Sequence, residues 1–290
     1  MKILVVGSAG HLGAAVAAQF AATCDVTATT RADLDVRDHR AVQAVVDLVR
    51  PGAVINCSAY TDVDRAEDEP VEALNVNAFA VRVLADAARA AGAAFVHYST
   101  DFVFDGTLDR PHTEEDQPNP RSTYACSKLV GEWFAREADR HYVLRVESVF
   151  GSSAPHDSPR RTSVDRIVDS VLHGVEAAVF VDRTVSPSYG HDVARATQAL
   201  LDRQAPYGLY HCVNSGSCTW EALAREVGRQ LGVEPRLKLV RMTDAKLRAQ
   251  RPQYCALSNE KLSAAGVPMS TWQDAIARYL QARRPASSRP

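Results

Sequence analysis

Met1-Lys2-Ile3-Leu4-Val5-Val6-Gly7-Ser8-Ala9-Gly10-His11-Leu12-Gly13 opens the chain and decides how the rest is read. A short apolar run suited to a buried strand breaks at glycines spaced Gly-x-x-Gly-x-x-Gly, and a helical pattern over Leu12–Ala22 follows. Such a turn lets the backbone approach a pyrophosphate with no Cβ in the way and packs helix closely on strand at the last glycine. The helix then points free N–H groups and a positive dipole end at the phosphates. Three glycines alone would describe any tight turn. Their place at the first strand–helix junction makes dinucleotide binding the expectation, with Gly7, Gly10, His11, Leu12 and Gly13 as the phosphate loop.

Working outward, β-branched runs at Val26–Thr30, Val54–Cys57, Phe95–Ser99 and Val143–Val146 alternate with helical patterns at Arg40–Val49, Val71–Ala91 and Thr123–Ala138. Strand, helix and strand repeated in this way predict right-handed crossovers and an α/β, doubly wound parallel Rossmann sheet. A sixth strand is expected at Ala178–Val181, followed by a helix over His191–Arg203. Beyond Pro206 the rhythm is lost: Gly208–Val213 reads as a short strand, Trp220–Leu231 and Trp272–Arg283 as helices, and Pro285–Pro290 as a frayed tail. Gly106–Pro120, Gly151–Arg161 and Ser186-Pro187-Ser188 are rich in turn residues. The expected division is an NAD(P)-binding Rossmann lobe over 1–150, completed by about 176–204, and a smaller C-terminal substrate-binding lobe from 151–175 and 205–290.

The bulk composition narrows the function. The 290 residues carry a formal net charge of -2 with Lys and Arg spread along the chain, which argues against a nucleic-acid partner. No apolar run approaches the roughly 20 residues of a membrane span, and the first run breaks too early for an export signal. Six scattered cysteines show neither a Cys-x-x-Cys pair nor a metal-ligand spacing, so reduced thiols, no metal and a cytoplasmic location are expected.

Cofactor choice is read at the end of the second strand, Thr29-Thr30-Arg31. No acid stands at its tip, and Arg31 is placed to meet the 2′-phosphate of NADPH, while nearby Asp33 leaves NADH open. Tyr124 and Lys128 are one helical turn apart on one face. A phenol is a poor acid–base group at neutral pH unless a cation stabilises its anion, and Lys128 is the expected cation. Ser99-Thr100-Asp101 ends the fourth strand, at the carboxyl edge where open parallel sheets bind ligands, so the Thr100 hydroxyl is expected beside the tyrosine.

With these residues in view, the chain resembles the extended short-chain dehydrogenase/reductase family, most closely its dTDP-4-dehydrorhamnose reductase branch. The resemblance runs through Gly7–Gly13, Asp33–Val36, Asn56–Asp64, Asn75-Val76-Asn77, His97–Gly106, Tyr124–Lys128, Ser186–Tyr189, Gly208–His211 and Arg251-Pro252 with Leu257-Ser258-Asn259. It implies Thr100, Tyr124 and Lys128 as the catalytic set, and Asp35 and Val36 at the adenine. It implies Ser58, Ala59, Tyr60 and Ser99 along the cofactor, with Val63, Asp64, Asp101, Ser148 and Arg251 near a sugar-nucleotide cleft. Two departures stand out. Phe102 replaces a Tyr, and Glu147-Ser148 replaces a Ser-Trp pair. The second change implies a wider, more polar sugar pocket and weak activity on the rhamnose precursor, unless Trp220 or Tyr254 fills the gap. The expected activity is NADPH-dependent reduction of a nucleotide-linked 4-keto-6-deoxysugar. The alternatives are an epimerase or dehydratase, whose Asp–Glu pair is interrupted here by Phe102, and a silent NADP-binding regulatory subunit of the methionine adenosyltransferase type. The partners implied are the nucleotide sugar and, for the chain itself, a homodimer.

Overall fold

A computed structural model describes residues 1–151 and 161–283. Most of the turn-rich stretch at 151–161 and the tail from Pro285 lie outside the described residues. The expected strands are present as β1 (Lys2–Val6), β2 (Asp25–Thr29), β3 (Ala53–Asn56), β4 (Ala94–Thr100) and β5 (His141–Val146). They form one parallel sheet with Gly208–His211, in the order Gly208–His211, β5, β4, β3, β1, β2. Every residue of β3 and β4 is buried, as the near-continuous apolar runs require of strands covered on both faces. Strand order reverses between β1 and its two neighbours, so the crevice at the carboxyl ends of β1 and β3 is the natural ligand position.

One expectation is corrected. The strand anticipated at Ala178–Val181 exists as Ala177–Phe180, but it pairs in parallel with Leu237–Val240 outside the large sheet. The sixth strand of the large sheet is Gly208–His211, paired with β5. The burial patterns explain the difference. Along Ala177–Phe180 a buried residue alternates with an exposed or half-buried one, whereas Tyr210 and His211 lie under the helical layers. We therefore divide the chain with 208–211 in the larger lobe and 177–180 in the smaller.

The helix expected over Val71–Ala91 is continuous but not uniform. Pro70–Leu74 passes into a π turn at Asn75–Phe79 and then into Ala80–Ala90. Such turns insert one extra residue and re-aim a side chain; here Asn77 is turned into the sheet layer and fully buried. The helix at Ser163–Leu172 was not anticipated, although Thr162 and Asp165 form a capping box at its start. With Trp220–Leu231 and Trp272–Arg283 it encloses a separate core holding Val168, Leu223, Trp220 and Trp272. The two lobes are joined by the chain after Arg251. Cys255 N–H donates to Thr184 O, Tyr254 N–H to Gly106 O and His112 N–H to Ala256 O, so this segment is bonded on both sides.

The Thr123–Ala135 helix is fixed by a buried ion pair. Arg145 of β5 donates through Nε and Nη2 to Glu132 Oε1 and Oε2, both at 2.8 Å. Ser99 of β4 donates to Glu132 Oε1 at 2.6 Å, and the Arg145 guanidinium lies over the Phe104 ring at 4.9 Å. Both charged side chains are essentially inaccessible, at 1% and 0% exposure. Glu132→Ala should leave Arg145 buried without its counter-charge and cost about 3–5 kcal/mol. Urea denaturation measures it, and a loss below about 1 kcal/mol would show that the pair does not brace the helix.

Candidate active site

The glycine turn is held from three sides. Gly7 and Ser8 both donate to Thr29 O at 2.9 Å, tying the turn to the end of β2. Gly7 has φ of +82°, and a Cβ there would lie 2.7 Å from Ser58 N; a Cβ on Gly13 would lie 2.2 Å from Gly7 O. Gly7 is therefore required for backbone shape and for space, and Gly13 for space alone. Gly10 caps the His11–Ala21 helix without a side chain, and no acid stands in its first turn. That end presents a positive dipole suited to an anion.

The residues expected further along the cofactor are less uniform. Arg31 is exposed just beyond β2, while Asp33 is spent on its own turn, accepting from Thr30 N–H at 2.9 Å and Thr30 Oγ1 at 2.7 Å. Asp35 is engaged by Arg37, whose Nε donates to Oδ1 at 2.9 Å, and its carboxyl is held down at about 2 by that guanidinium. Val36 is buried with Leu34 in the core on one face of the sheet. Ser58 donates to Asn56 Oδ1 at 2.6 Å, Ala59 is exposed, and Asn77 grips both the N–H and the carbonyl of Tyr60 at 2.8 and 3.0 Å. Ser99 faces the opposite way from Thr100, and its hydroxyl is committed to Glu132.

Tyr124 and Thr100 do come together. The Tyr124 phenol lies within electrostatic reach of the Thr100 hydroxyl and the Asp101 carboxyl, and Phe102 packs edge-on against the phenol ring at 5.6 Å. Burial pushes the phenol up to about 12, with the neighbouring Thr100 hydroxyl pulling the other way. The sequence expectation that Lys128 lowers it is not what the geometry does. Lys128 Nζ donates to the Tyr98 carbonyl at 2.6 Å and lies 3.5 Å from His97 Nε2. His97 is in turn 3.2 Å from Asn56 Nδ2, so a buried polar chain leads back to β3. Burial brings the Lys128 ammonium down to about 8, against the attraction of Glu132.

Asp101 and Glu147 depart furthest from expectation. Asp101 is 2% exposed, accepts from Thr100 Oγ1 at 3.0 Å, and presents no open sugar ligand. Glu147 does not follow the strand alternation that would lay it opposite Ser148, because β5 ends at Val146 and Ser148 takes φ of +45°. Its side chain turns inward, where Glu147 Oε2 accepts from Ser186 N–H at 2.5 Å. The carboxyl of the expected polar wall is therefore buried, and Ser148 is half-buried just past the end of β5. Trp220 is packed in the smaller core, while half-buried Tyr254 lies within electrostatic reach of Glu147.

Asp64 and Arg251 meet each other, at 2.8 and 2.9 Å through both oxygens, with half-buried Val63 beside them in sequence. Ala249 N–H adds a third bond to Asp64, and Arg248 pairs with Asp68. The guanidinium holds the Asp64 carboxyl down at about 2. The sequence reading gave no role to Asn77, Glu132 or Arg183. Only the buried, charged Arg145 within the apolar run of β5 hinted that an acid must face it.

Residues 1–284 match the family described as RmlD substrate binding domain. A dTDP-4-dehydrorhamnose reductase of Streptomyces griseus is 36% identical over 273 residues, covering 91% of this chain and 88% of that protein. A dTDP-4-keto-6-deoxy-D-glucose reductase of Streptomyces niveus is 33% identical over 281 residues, with 94% of each covered. Among solved structures, the dTDP-4-dehydrorhamnose reductase of Bacillus anthracis in complex with NADP superposes with a TM-score of 0.89 at 28% identity, covering 97% of this chain and 99% of that one.

The Asp64–Arg251 clasp makes a measurable claim. A double-mutant cycle of Asp64→Ala and Arg251→Ala, followed by urea denaturation, should give a coupling of roughly 0.5–1 kcal/mol, as befits a part-exposed two-pronged pair. Strict additivity would mean that the two segments are held together by something else.

Proposed function

The chain belongs to the RmlD substrate binding domain family, and from that premise we propose that it is an NADPH-dependent reductase of a nucleotide-linked 4-keto-6-deoxysugar. The observation that carries this reading is the meeting of Tyr124 with Thr100 at the carboxyl end of β4, in the same crevice as the glycine turn. The cofactor fits the residues present: glycines at 7 and 13 let the turn pack tightly on Ser58 and on itself, and the acid-free helix end beside it suits a diphosphate. NADPH, when bound, supplies the hydride. Gly7 to Gly13 would hold its diphosphate, Arg31 its 2′-phosphate, and Ser58 to Tyr60 the chain between.

The protein's own part is to place and move a proton. Thr100 orients the carbonyl oxygen of the sugar, and Tyr124 donates its phenolic proton to that oxygen as the carbon accepts hydride. A phenol raised to about 12 is protonated throughout the neutral range, which suits a donor in the direction of reduction. Lys128 lies too deep to act on the phenol directly and serves as the cation beneath the cofactor ribose. Asp64 and Arg251 close the sugar-nucleotide side, and Ser148 stands where the hexose ring would lie. The epimerase or dehydratase reading is not favoured, since Phe102 occupies the position of the needed Glu and packs on Tyr124. Nor is a silent regulatory subunit, given the assembled Thr100–Tyr124 pair.

Two measurements test this reading. Oxidation of NADPH should be seen with dTDP-4-dehydrorhamnose or dTDP-4-keto-6-deoxyglucose, and Tyr124→Phe should lower turnover about 100-fold or more while leaving NADPH binding intact. Full activity in Tyr124→Phe would remove the phenol from the mechanism. Titration calorimetry should show NADPH binding tighter than NADH, with Arg31→Ala erasing roughly 1.5–3 kcal/mol of that preference. Equal affinities in the parent protein would take Arg31 out of the cofactor site.

A further inference from the structure

Beneath the phenol lies a group of ionisable side chains for which the reduction described above has no use. Asp101 and Glu147 are each 2% exposed and Arg183 is 9% exposed. An oxygen of each carboxyl and the Cys255 sulfur all lie within 4.8 Å of one another. Among the described residues, Asp101 Oδ2, Glu147 Oε1 and Arg183 Nε have no hydrogen-bond partner. Arg183 is held over the Phe102 ring at 5.3 Å and donates to Cys255 Sγ at 3.7 Å.

Charge balance decides the protonation. Two carboxylates this close in a dry site cannot both stay ionised against one guanidinium. The other titratable groups that reach the pair add no cation. Cys255 and Cys218 are thiols pushed upward by burial, and Tyr254 and Tyr124 are phenols pushed the same way, so all four stay neutral. Arg183 offsets one negative charge, and the second carboxyl must carry a proton.

We propose that Asp101 and Glu147 hold one proton between them, and that this pair, linked to Tyr124 through the hydroxyl of Thr100, is the proton store of the site. The groups adjoin: Thr100 Oγ1 donates to Asp101 Oδ1 at 3.0 Å, and the Tyr124 phenol lies within electrostatic reach of both. When Tyr124 gives its proton to the sugar oxygen, the Thr100 proton passes to the phenolate and the proton of the pair passes to Thr100 Oγ1. Both carboxyls are then ionised beside Arg183 until a proton returns from solvent after product leaves. Transfer from a carboxyl to a phenolate of far higher basicity runs downhill. Burial raises Asp101 to about 6, and burial together with the Asp101 charge raises Glu147 well above the ordinary range, in keeping with the shared proton. Glu147 and Asp101 act through Thr100 and are positioning residues. The proposal rests on the reductase reading for its direction of transfer, but the shared proton does not.

The test compares the parent protein with Glu147→Gln in two readouts. The first is folding stability by urea from about pH 5 to about pH 8. The unfolded chain holds no proton on these carboxyls there, while the folded parent holds one. The folding constant of the parent should therefore fall about tenfold per pH unit relative to the variant as pH rises. Parallel stability curves overturn the proposal. The second is the pH profile of kcat. Without Glu147, Asp101 ionises against Arg183 alone, so the alkaline limb should move down by about one pH unit or more, and Glu147→Asp should restore it. An unmoved limb overturns the store. Should Glu147→Gln fail to fold, Glu147→Ser serves the same comparisons. Diverging stability curves in a protein that reduces none of the sugars would contradict the reductase reading and support the shared proton, so the two failures are distinguishable.

Discussion

The ion pair between Glu132 and Arg145 is the constraint on which the geometry of the site depends. Tyr124, Lys128 and Glu132 follow one another at four-residue spacing, so they share one face of the Thr123–Ala135 helix. Fixing Glu132 against β5 fixes the rotation and the axial position of that face, and with it the approach of the phenol to Thr100. The pair is tolerable in the interior because its hydrogen bonding is nearly complete: Ser99 and both arms of Arg145 satisfy the carboxylate, and Arg145 also faces Phe104 and His211 Nε2 at 3.4 Å. At the other end of the helix Glu67 accepts from Thr123 N–H and Oγ1, which holds the first turn. The helix is thus pinned at both ends with the reactive residues between.

Polar groups below the cleft follow two separate routes. One runs from Asn56 through His97 to Lys128 and the Tyr98 carbonyl, and it positions the cation deep under the sheet edge. The other runs from Tyr124 through Thr100 to Asp101 and the carboxyl of Glu147. The first keeps its groups close to satisfied. The second leaves two carboxyl oxygens and a guanidinium nitrogen without partners among the described residues. Buried polar atoms of that kind are costly, and their concentration next to the reacting phenol fits a site that moves a proton.

The strands of the large sheet were legible because parallel strands covered on both faces must be continuously apolar, as Val54-Ile55 and Phe95-Val96 are. The glycine turn and the Tyr124–Lys128 spacing are legible because each is a local pattern, narrowed to one use by its place at a strand–helix junction or beside the end of β4. The exchange of the sixth strand was not. Ala177–Phe180 and Gly208–His211 are both short and apolar, and only their partners, distant in sequence, tell them apart. Nor could the sequence orient Glu147. Strand alternation would set its direction opposite to Ser148, but the backbone leaves the strand at that residue and turns through a left-handed Ser148. Lys128 shows the same limit: it stands one helical turn from Tyr124, yet its ammonium faces the Tyr98 carbonyl.

The most direct test of the account follows the hydride itself. NADPH carrying deuterium at the transferred position of nicotinamide C4 would be incubated with the enzyme and a dTDP-4-keto-6-deoxysugar, and the product examined by proton NMR. The account predicts loss of the proton signal at sugar C4, with the hydroxyl proton drawn from exchangeable groups of the protein. Deuterium at any other carbon, or a product formed without deuterium while NADPH persists, would contradict it.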